Sequence, residues 1–424
     1  MPSLRPFTEA PGSGPVSGNV LILAYSYPPD NRVGALRPFR FAKYLPAYGF
    51  STHVITASPQ GADVSENVSY APDWIEDRSR APIKIARIVG TKLRWAAYGG
   101  GQLAFTWAGS AARAAGEAIE KSPGPWSIFS TSPPLGVHLA AMRLKKRYGN
   151  RVSWIADFRD PLAHNPASGA KAAFWNKRIE KVIFRVADHL IANTEAAAER
   201  WRTRYPQWEH KISCIYNGFD PGQEIEPKPI PPREYKAIAH VGEIYGERRL
   251  GQLLTSLDRL RRAGVESAAR TRLELIGALD WRSVPDHGFL ERLISQGAVV
   301  LRRAPASPRE AVRAMCEAEG LVVLDWDTGW QVPAKLYVCI RIGRPILAST
   351  AKASPVDQIL ARSGTPYVCI YPEDPPSDVD AKLTRFLNMP AGPVAPSEWF
   401  LREFDVRNQA GTLATILKRL RTEP

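Results

Sequence analysis

Residues 20–56 read VLILAYSYPPDNRVGALRPFRFAKYLPAYGFSTHVIT. The run 20–25 is apolar without interruption, which is typical of a parallel strand covered on both faces. A loop with Gly34 follows, and then residues 37–45 carry apolar side chains at helical spacing. A second strand is predicted at 52–56. Strand, glycine-bearing loop, helix and strand form a βαβ unit, so this segment predicts the start of a Rossmann-like α/β domain.

The same alternation continues along the chain and is interrupted once, at residues 221–234, where five of fourteen positions are proline. Such a segment is typical of a stiff linker. Further strands are predicted at 127–130, 152–156, 189–193, 211–216, 237–242, 273–277, 298–301, 320–324 and 345–348. We therefore predict a flexible tail (1–18), an N-terminal Rossmann-like domain (19–220), a linker (221–234), a second Rossmann-like domain (235–395) and a C-terminal helical segment (396–424) that can return to the first domain.

Helix starts are also visible. Thr194 precedes a helical segment and is predicted to cap it, with Glu195 in the first turn. Ser307, Pro308 and Glu310 combine the preferred N-cap, first-turn proline and capping-box residue types.

Composition limits the class of protein. The 424 residues are 44% hydrophobic and 23% charged, as in folded soluble proteins. No apolar stretch is long enough for a membrane span, the N-terminus lacks an apolar signal core, and the four cysteines are widely spaced. A cytoplasmic location is expected. Lys and Arg number 56 against 42 Asp and Glu, a net charge of +14, which suits nucleic acid, an acidic lipid surface or phosphorylated substrates without choosing among them.

Open parallel sheets bind ligands outside the carboxyl ends of their strands, so the residues that follow each strand are the candidates for chemistry. They are Gly34, Arg37, His138 and the Asp157–Asp160 segment in the first half, and the Gly242–Arg249 segment and Lys335 in the second half. Each has a structural alternative. Asp157, Arg159 and Asp160 can form an internal ion-pair cluster, His138 can be an ordinary helix-face residue, and the arginines and Lys335 can be solvated.

Taken in order, six segments resemble GT-B glycosyltransferases related to retaining family four, over about residues 19–420. They are residues 27–45, 130–134 (STSPP), 156–161 (ADFRDP), 216–220 (YNGFD), 240–245 (HVGEIY) and 335–347. The resemblance implies two Rossmann-like domains that face each other across a cleft, one for the acceptor and one for a UDP- or GDP-linked sugar.

It also implies sugar transfer with retention of anomeric configuration, and no cofactor or metal is expected. By position, Gly34, Gly242, Arg248, Arg249 and Lys335 correspond to groups around the donor diphosphate. Asp157, Asp160 and His138 correspond to catalytic positions, and Arg37 and Arg159 are expected to face the acceptor.

One departure from the family pattern keeps a second hypothesis open. Relatives commonly carry KLFEYL where this chain has KLYVCI, so Val338 occupies the place of a glutamate that contacts the donor ribose. The acidic position eight residues upstream is Trp330. A non-catalytic relative that serves as a scaffold in a glycan-assembly complex is therefore the alternative function.

Residues 78–121 carry eight Lys and Arg against two glutamates, with four aromatic residues interleaved. This mixture suits the headgroups of an acidic membrane, and equally nucleic acid or a core-packing helix with a solvated face. Because the fold resemblance indicates sugar transfer, a glycan or glycolipid acceptor at a membrane surface is the preferred partner. Nucleic acid is the least favoured partner because no recognisable binding module is present.

Overall fold

The computed structural model describes residues 17–30, 32–57, 67–73, 104–122, 124–163, 170–223, 225, 230, 233–244, 250–281, 284, 286–305, 307–325 and 329–422. The chain divides into two units. The first comprises Met1–Asn217 and Val406–Pro424, and the second comprises Gly218–Asp405.

The first unit is built on a parallel sheet of seven strands in the order β3-β2-β1-β4-β5-β6-β7. The strands are β1 (Gly18–Leu23), β2 (Phe50–Thr56), β3 (Val68–Tyr70), β4 (Trp126–Ser132), β5 (Val152–Phe158), β6 (His189–Ala192) and β7 (Ile212–Cys214). The helices between them are α1 (Leu36–Tyr44), α2 (Trp107–Lys121), α3 (Gly136–Tyr148), α4 (Ala170–Val186) and α5 (Glu195–Arg204). Every position of β4 is buried, as expected for a central strand with helices on both faces.

The second unit repeats this plan with six parallel strands in the order β10-β9-β8-β11-β12-β13. The strands are β8 (Lys236–Val241), β9 (Thr271–Ile276), β10 (Val299–Arg302), β11 (Gly320–Leu324), β12 (Ile346–Ser349) and β13 (Tyr367–Ile370). The helices are α6 (Leu250–Arg262), α7 (Glu266–Ala269), α8 (His287–Ser295), α9 (Pro308–Cys316), α10 (Lys335–Ile342), α11 (Pro355–Ser363), α12 (Pro376–Leu387) and α13 (Glu398–Glu403). The α/β class predicted from the sequence is thereby confirmed.

The last helix, α14 (Val406–Thr422), belongs to the first unit. Its apolar face joins the core formed by β1 and α1, through Ala410, Leu413 and Leu417. Arg421 fastens its end by donating to the carbonyl oxygens of Asn19 (3.0 Å) and Pro125 (3.2 Å). The first unit therefore ends with this helix alone, whereas α13 lies in the second unit.

Two predicted helix caps are confirmed. The Thr194 hydroxyl accepts a hydrogen bond from the Ala197 amide (3.1 Å), and the Ser307 hydroxyl accepts one from the Glu310 amide (3.2 Å). Each satisfies an amide that has no partner within its own helix.

Candidate functional site

In the first sheet the chain order reverses at β1, which lies between β2 and β4. The carboxyl ends of β1 and β4 therefore open a crevice, the usual ligand position in such sheets. Gly34 lies in the loop after β1, in a short 3-10 helix. A side chain at Gly34 would collide with the Arg159 guanidinium, so the loops after β1 and β5 touch here.

Arg159 is fastened across the end of β4. Its amide donates to the Ser132 carbonyl (2.9 Å), its Nε donates to the same oxygen (3.2 Å), and its guanidinium also donates to the Pro133 carbonyl. Burial lowers the pKa of Arg159, an effect that the nearby Asp160 and Asp157 carboxylates oppose. Gly34, Arg159 and Asp160 are thus the predicted residues of the first unit that remain only partly buried at this edge.

Arg37 and Asp157, unlike Gly34, Arg159 and Asp160, are buried. Arg37 is 5% exposed and Asp157 is fully buried. Two parallel bonds join them, from Arg37 Nε to Asp157 Oδ2 (2.9 Å) and from Nη2 to Oδ1 (2.7 Å). Thr131 adds a third donor to Oδ2 (2.7 Å).

The remaining donors of Arg37 are also occupied. They go to the carbonyl oxygens of Ile215 (2.8 Å) and Tyr216 (2.8 Å) and to the Asn217 side chain (3.3 Å). A guanidinium has five N–H groups, and all five have partners here. Arg37 and Asp157 therefore tie α1 to the ends of β5 and β7. Asp157 therefore forms its internal ion pair with Arg37, a partner that the predicted cluster of Asp157, Arg159 and Asp160 did not include. Both side chains are occupied inside the first unit, which differs from the predicted acceptor-facing and catalytic positions.

His138 is likewise enclosed. Its Nδ1 lies 2.8 Å from Ser130 Oγ, and its Nε2 lies 2.8 Å from Ser132 Oγ. The Trp154 indole N–H also donates to Ser130 Oγ (2.8 Å), so this hydroxyl joins the histidine to the core. The side chain is fully buried. Its predicted contact with a sugar needs an accessible ring nitrogen, and both nitrogens are used inside the core.

This enclosure predicts a pH dependence of folding. Burial, reinforced by the positive charge of Arg159, lowers the pKa of His138 from 6.5 to about 3. Below pH 6.5 the unfolded chain binds a proton that the folded chain refuses. His138 therefore favours folding fully above pH 6.5, and this contribution is lost as the pH falls toward 3, at about 1.4 kcal/mol per pH unit.

The test is urea unfolding of the wild type and of His138→Gln at several pH values between 6.5 and 4.5. We expect the variant to be less stable at pH 7 but to lose stability less steeply in acid. Burial lowers the pKa of His189 in the same way, also to about 3, and it lowers the pKa of His53, so acid-sensitive histidines remain in the variant. Parallel pH profiles for the two proteins would contradict the assignment.

The second sheet has its own reversal at β8, which lies between β9 and β11. Gly242 follows β8 with φ +122, a backbone conformation that favours glycine. A Cβ at this position would lie 2.8 Å from the Lys335 Nζ. The first residue of α10 therefore places its ammonium group directly over the backbone at the end of β8.

A buried histidine holds that ammonium group. Lys335 Nζ lies 2.9 Å from His240 Nε2, while His240 Nδ1 lies 3.0 Å from the Val322 carbonyl oxygen. A carbonyl can only accept, so Nδ1 carries the ring hydrogen and Nε2 accepts from Lys335. His240 is fully buried in β8. His240 opens the 240–245 segment of the family resemblance, but nothing in the sequence indicated that it would hold Lys335.

Arg248 and Arg249, the predicted diphosphate ligands, lie outside the described residues. Val338 lies one turn after Lys335 on α10 and is half-buried. Residues three apart share a helix face, so the missing glutamate would have stood beside Lys335. Trp330 is 6% exposed. The two acidic positions of relatives are thus an aliphatic and a buried aromatic side chain here.

Comparison with known proteins agrees with this architecture. Residues 38–223 match the model of Glycosyltransferase Family 4. The chain has the GT-B fold. The match includes His138, Asp157 and Asp160 of the first unit. No curated protein matches the chain by sequence.

Solved GT-B structures resemble it over nearly the full length. A sucrose-phosphate synthase from Thermosynechococcus elongatus is 12% identical, with 96% of this chain and 100% of that chain covered and a TM-score of 0.63. WaaG, a glycosyltransferase involved in lipopolysaccharide biosynthesis, is 13% identical, with 96% and 100% covered and a TM-score of 0.58. Anabaena HepE in complex with UDP-glucose is 13% identical, with 95% and 99% covered and a TM-score of 0.57. At these identities the likeness establishes the fold, and with the family match it supports a glycosyltransferase.

Proposed function

We propose that this protein transfers a sugar from a nucleoside-diphosphate sugar, UDP- or GDP-linked, to a glycan or glycolipid acceptor, with retention of anomeric configuration. The observation that carries the proposal is the Lys335 ammonium group, held by His240 over Gly242 at the reversal point of the second sheet. A cation against exposed backbone at this edge suits a diphosphate.

The chemistry assigned to this site is stabilisation of the leaving group. When the bond between the sugar and the diphosphate breaks, negative charge grows on the phosphate oxygens. Lys335 would oppose that charge, and so would the positive N-terminal end of α10, which no side chain caps. We assign Arg248 to the same phosphates. Groups already in position before charge develops contribute most to such stabilisation.

On the first unit, we assign acceptor binding to the partly buried edge formed by Gly34, Arg159 and Asp160. Asp160 supplies a carboxylate that can accept hydrogen bonds from sugar hydroxyls, and Arg159 supplies donors. Arg37 and Asp157 do not contact the acceptor in this assignment. They act indirectly, because their ion pair fixes the ends of β5 and β7. His138 supports the end of β4 from the core in the same indirect way.

The choice of substrates draws on the structural relatives. HepE is described in complexes with UDP-glucose and with UDP, which supports a UDP-sugar donor. WaaB, a lipopolysaccharide outer core galactosyltransferase, and WaaG both act in lipopolysaccharide assembly, which supports a glycolipid acceptor. No helix in the described part of the chain is long and apolar enough to span a bilayer. We place the protein in the cytoplasm, at the inner membrane surface.

The test is a thermal-shift screen of UDP, GDP and CDP and their sugars. We expect one nucleotide to raise the melting temperature, because a ligand present at 100 times its Kd stabilises the folded state by about 2.7 kcal/mol. Arg248→Ala should abolish that shift. Absence of a shift with every nucleotide, in a folded preparation, would contradict the donor assignment.

The alternative is a non-catalytic scaffold, and Val338 and Trp330 are the observations that favour it. A ribose hydroxyl that lacks its carboxylate partner loses a hydrogen bond of about 1.5–3 kcal/mol. Release of nucleotide from a donor sugar, measured in the presence of candidate acceptors, separates the two functions. Turnover that depends on Lys335 would exclude the scaffold, whereas nucleotide binding without turnover would favour it.

A further inference from the structure

Helix α4 carries an outward face that is both aromatic and strongly basic. Phe174 is 51% exposed, Trp175 is 46% exposed and Val182 is 41% exposed. The Phe174 and Trp175 rings pack edge to face, with centroids 5.5 Å apart. Exposing large apolar side chains to water on a surface helix is unfavourable in free energy, and such patches commonly mark an interaction site.

The basic residues of α4 occupy the same face. Five Lys and Arg of the helix are exposed, namely Lys171, Lys177, Arg178, Lys181 and Arg185. At 100° per residue these five, together with Phe174, Trp175 and Val182, fall within one arc of about 160°. We call these eight residues the α4 outer face.

Four of the five basic residues of this face have no acidic partner among the described residues. The one carboxylate of the helix, Glu180, is buried, where it accepts from the Ala163 amide (2.9 Å) and the Tyr205 hydroxyl (3.1 Å). No described carboxylate pairs with Lys177, Arg178, Lys181 or Arg185. Like charges three and four residues apart destabilise a helix, so this arrangement is costly unless an anionic partner covers it.

The position of the face relates it to the first unit's site. In a parallel sheet each crossover helix begins at the carboxyl edge of the strand that precedes it, and α4 follows β5. Phe174 and Trp175 lie in its first two turns. They are therefore on the side of the unit where Arg159 and Asp160 follow the end of β5.

We propose that the α4 outer face docks the protein on an anionic lipid bilayer. Lysine and arginine side chains would meet the headgroups, and the Phe174 and Trp175 rings would enter the interface between headgroups and acyl chains. The Arg178 guanidinium lies 3.7 Å from the Phe174 ring centroid, so charge and ring can reach the interface together. This patch is separate from residues 78–121, of which only 104–121 are described. There Trp107 is fully buried and cannot contact a membrane.

A membrane fits better than nucleic acid because of the aromatic pair. Phosphate backbones select cations and make binding strongly dependent on salt. Bases stack on an open ring face, whereas the Phe174 ring is already covered by the Arg178 guanidinium and packs edge to face with Trp175. The consequence for catalysis rests on the proposed function. Docking through α4 would hold the acceptor edge of the first unit at the surface where a lipid-linked acceptor resides. Vesicle binding is measured without a sugar donor, so its failure is distinguishable from failure of the donor assignment.

The experiment is vesicle sedimentation with phosphatidylcholine alone and with phosphatidylcholine containing phosphatidylglycerol. The wild type should bind only the anionic vesicles. Lys177→Glu/Lys181→Glu should lower the partition coefficient about tenfold or more. Phe174→Ala/Trp175→Ala should lower it by a similar factor, because the buried aromatic area is lost.

Matched controls carry the same changes elsewhere. Lys146→Glu/Lys418→Glu alters two exposed lysines of the same unit, and Trp281→Ala/Leu401→Ala removes two exposed apolar side chains of the second unit. Both should bind like the wild type, and circular dichroism checks the fold of every variant. If both α4 variants bind like their controls, the proposal is overturned and residues 78–121 become the place to seek a membrane contact. If the wild type binds single-stranded RNA but not anionic vesicles, and the α4 variants lose the RNA binding, the partner is nucleic acid and the proposal is equally overturned.

Discussion

Replacing Arg37 with alanine is expected to lower the free energy of unfolding by about 3–5 kcal/mol, the usual cost of removing one partner from a buried ion pair. The Asp157 carboxylate would stay buried with only the Thr131 hydroxyl as a side-chain donor. The carbonyl oxygens of Ile215 and Tyr216 would lose the arginine N–H groups that they accept from. Arg37→Lys should recover only part of the loss, because an ammonium group cannot form the two parallel bonds of a guanidinium.

Urea unfolding followed by circular dichroism measures this effect, with Arg32→Ala as the matched control. Arg32 pairs with Asp30 at 2.5 Å, but its side chain is 53% exposed. Exposed pairs of this kind contribute about 0–1 kcal/mol, so the control should unfold close to the wild type. An Arg37→Ala protein with unchanged stability and no turnover would instead uphold the acceptor-facing role that the sequence predicted for Arg37.

Replacing Lys335 with methionine is expected to lower kcat/KM for the sugar donor by about 10²–10³-fold, as when one charge-stabilising donor is removed from an active site. Methionine keeps the length and apolar stem of the side chain, so folding should be little changed. Lys352→Met, an exposed lysine of the same unit, is the control and should retain full activity. If the Lys335→Met enzyme has unaltered kinetics, Lys335 does not bind the donor diphosphate, and the proposed function loses its main support.

The role of His240 can be separated from that of Lys335. His240 holds the ammonium group and is a positioning residue, so His240→Leu should lower kcat/KM, and His240→Gln, which can still accept a hydrogen bond, should lower it less. In the double variant His240→Leu/Lys335→Met the second change should add little, because both act through one group. Additive losses would mean that His240 supports activity in some other way, for instance through the packing of β8.

Several elements could be predicted because their pattern is local. The unbroken apolar runs located β1, β8 and β11, and the residue types at Thr194 and Ser307 located two helix starts. The sequence analysis missed β3 (Val68–Tyr70) and β13 (Tyr367–Ile370), although it located β7, which is equally short. For residues 78–121 it left a core-packing helix as one of three alternatives, and α2, within the described part of that segment, is such a helix.

The candidate site was also predicted only in part. The motifs correctly marked the strand ends, since residues that follow parallel strands must gather at one edge. They could not tell a reactive carboxylate from a structural one. Asp157 and Asp160 are three residues apart, yet Asp157 is sealed beneath Arg37 and Thr131, whereas Asp160 stays partly exposed.

The sequence by itself determined the α/β class, the positions of most strands along the chain and the segments that form the two edges. It could do so because hydrophobic period, caps and turns act over a few residues. Only the tertiary structure decided which side chains are accessible and which are paired. Arg37 meets Asp157 across 120 positions, and His240 meets Lys335 across 95. Burial and the geometry of such pairs depend on chain segments that come together only on folding, and these decide whether a charge stabilises the core or faces a substrate.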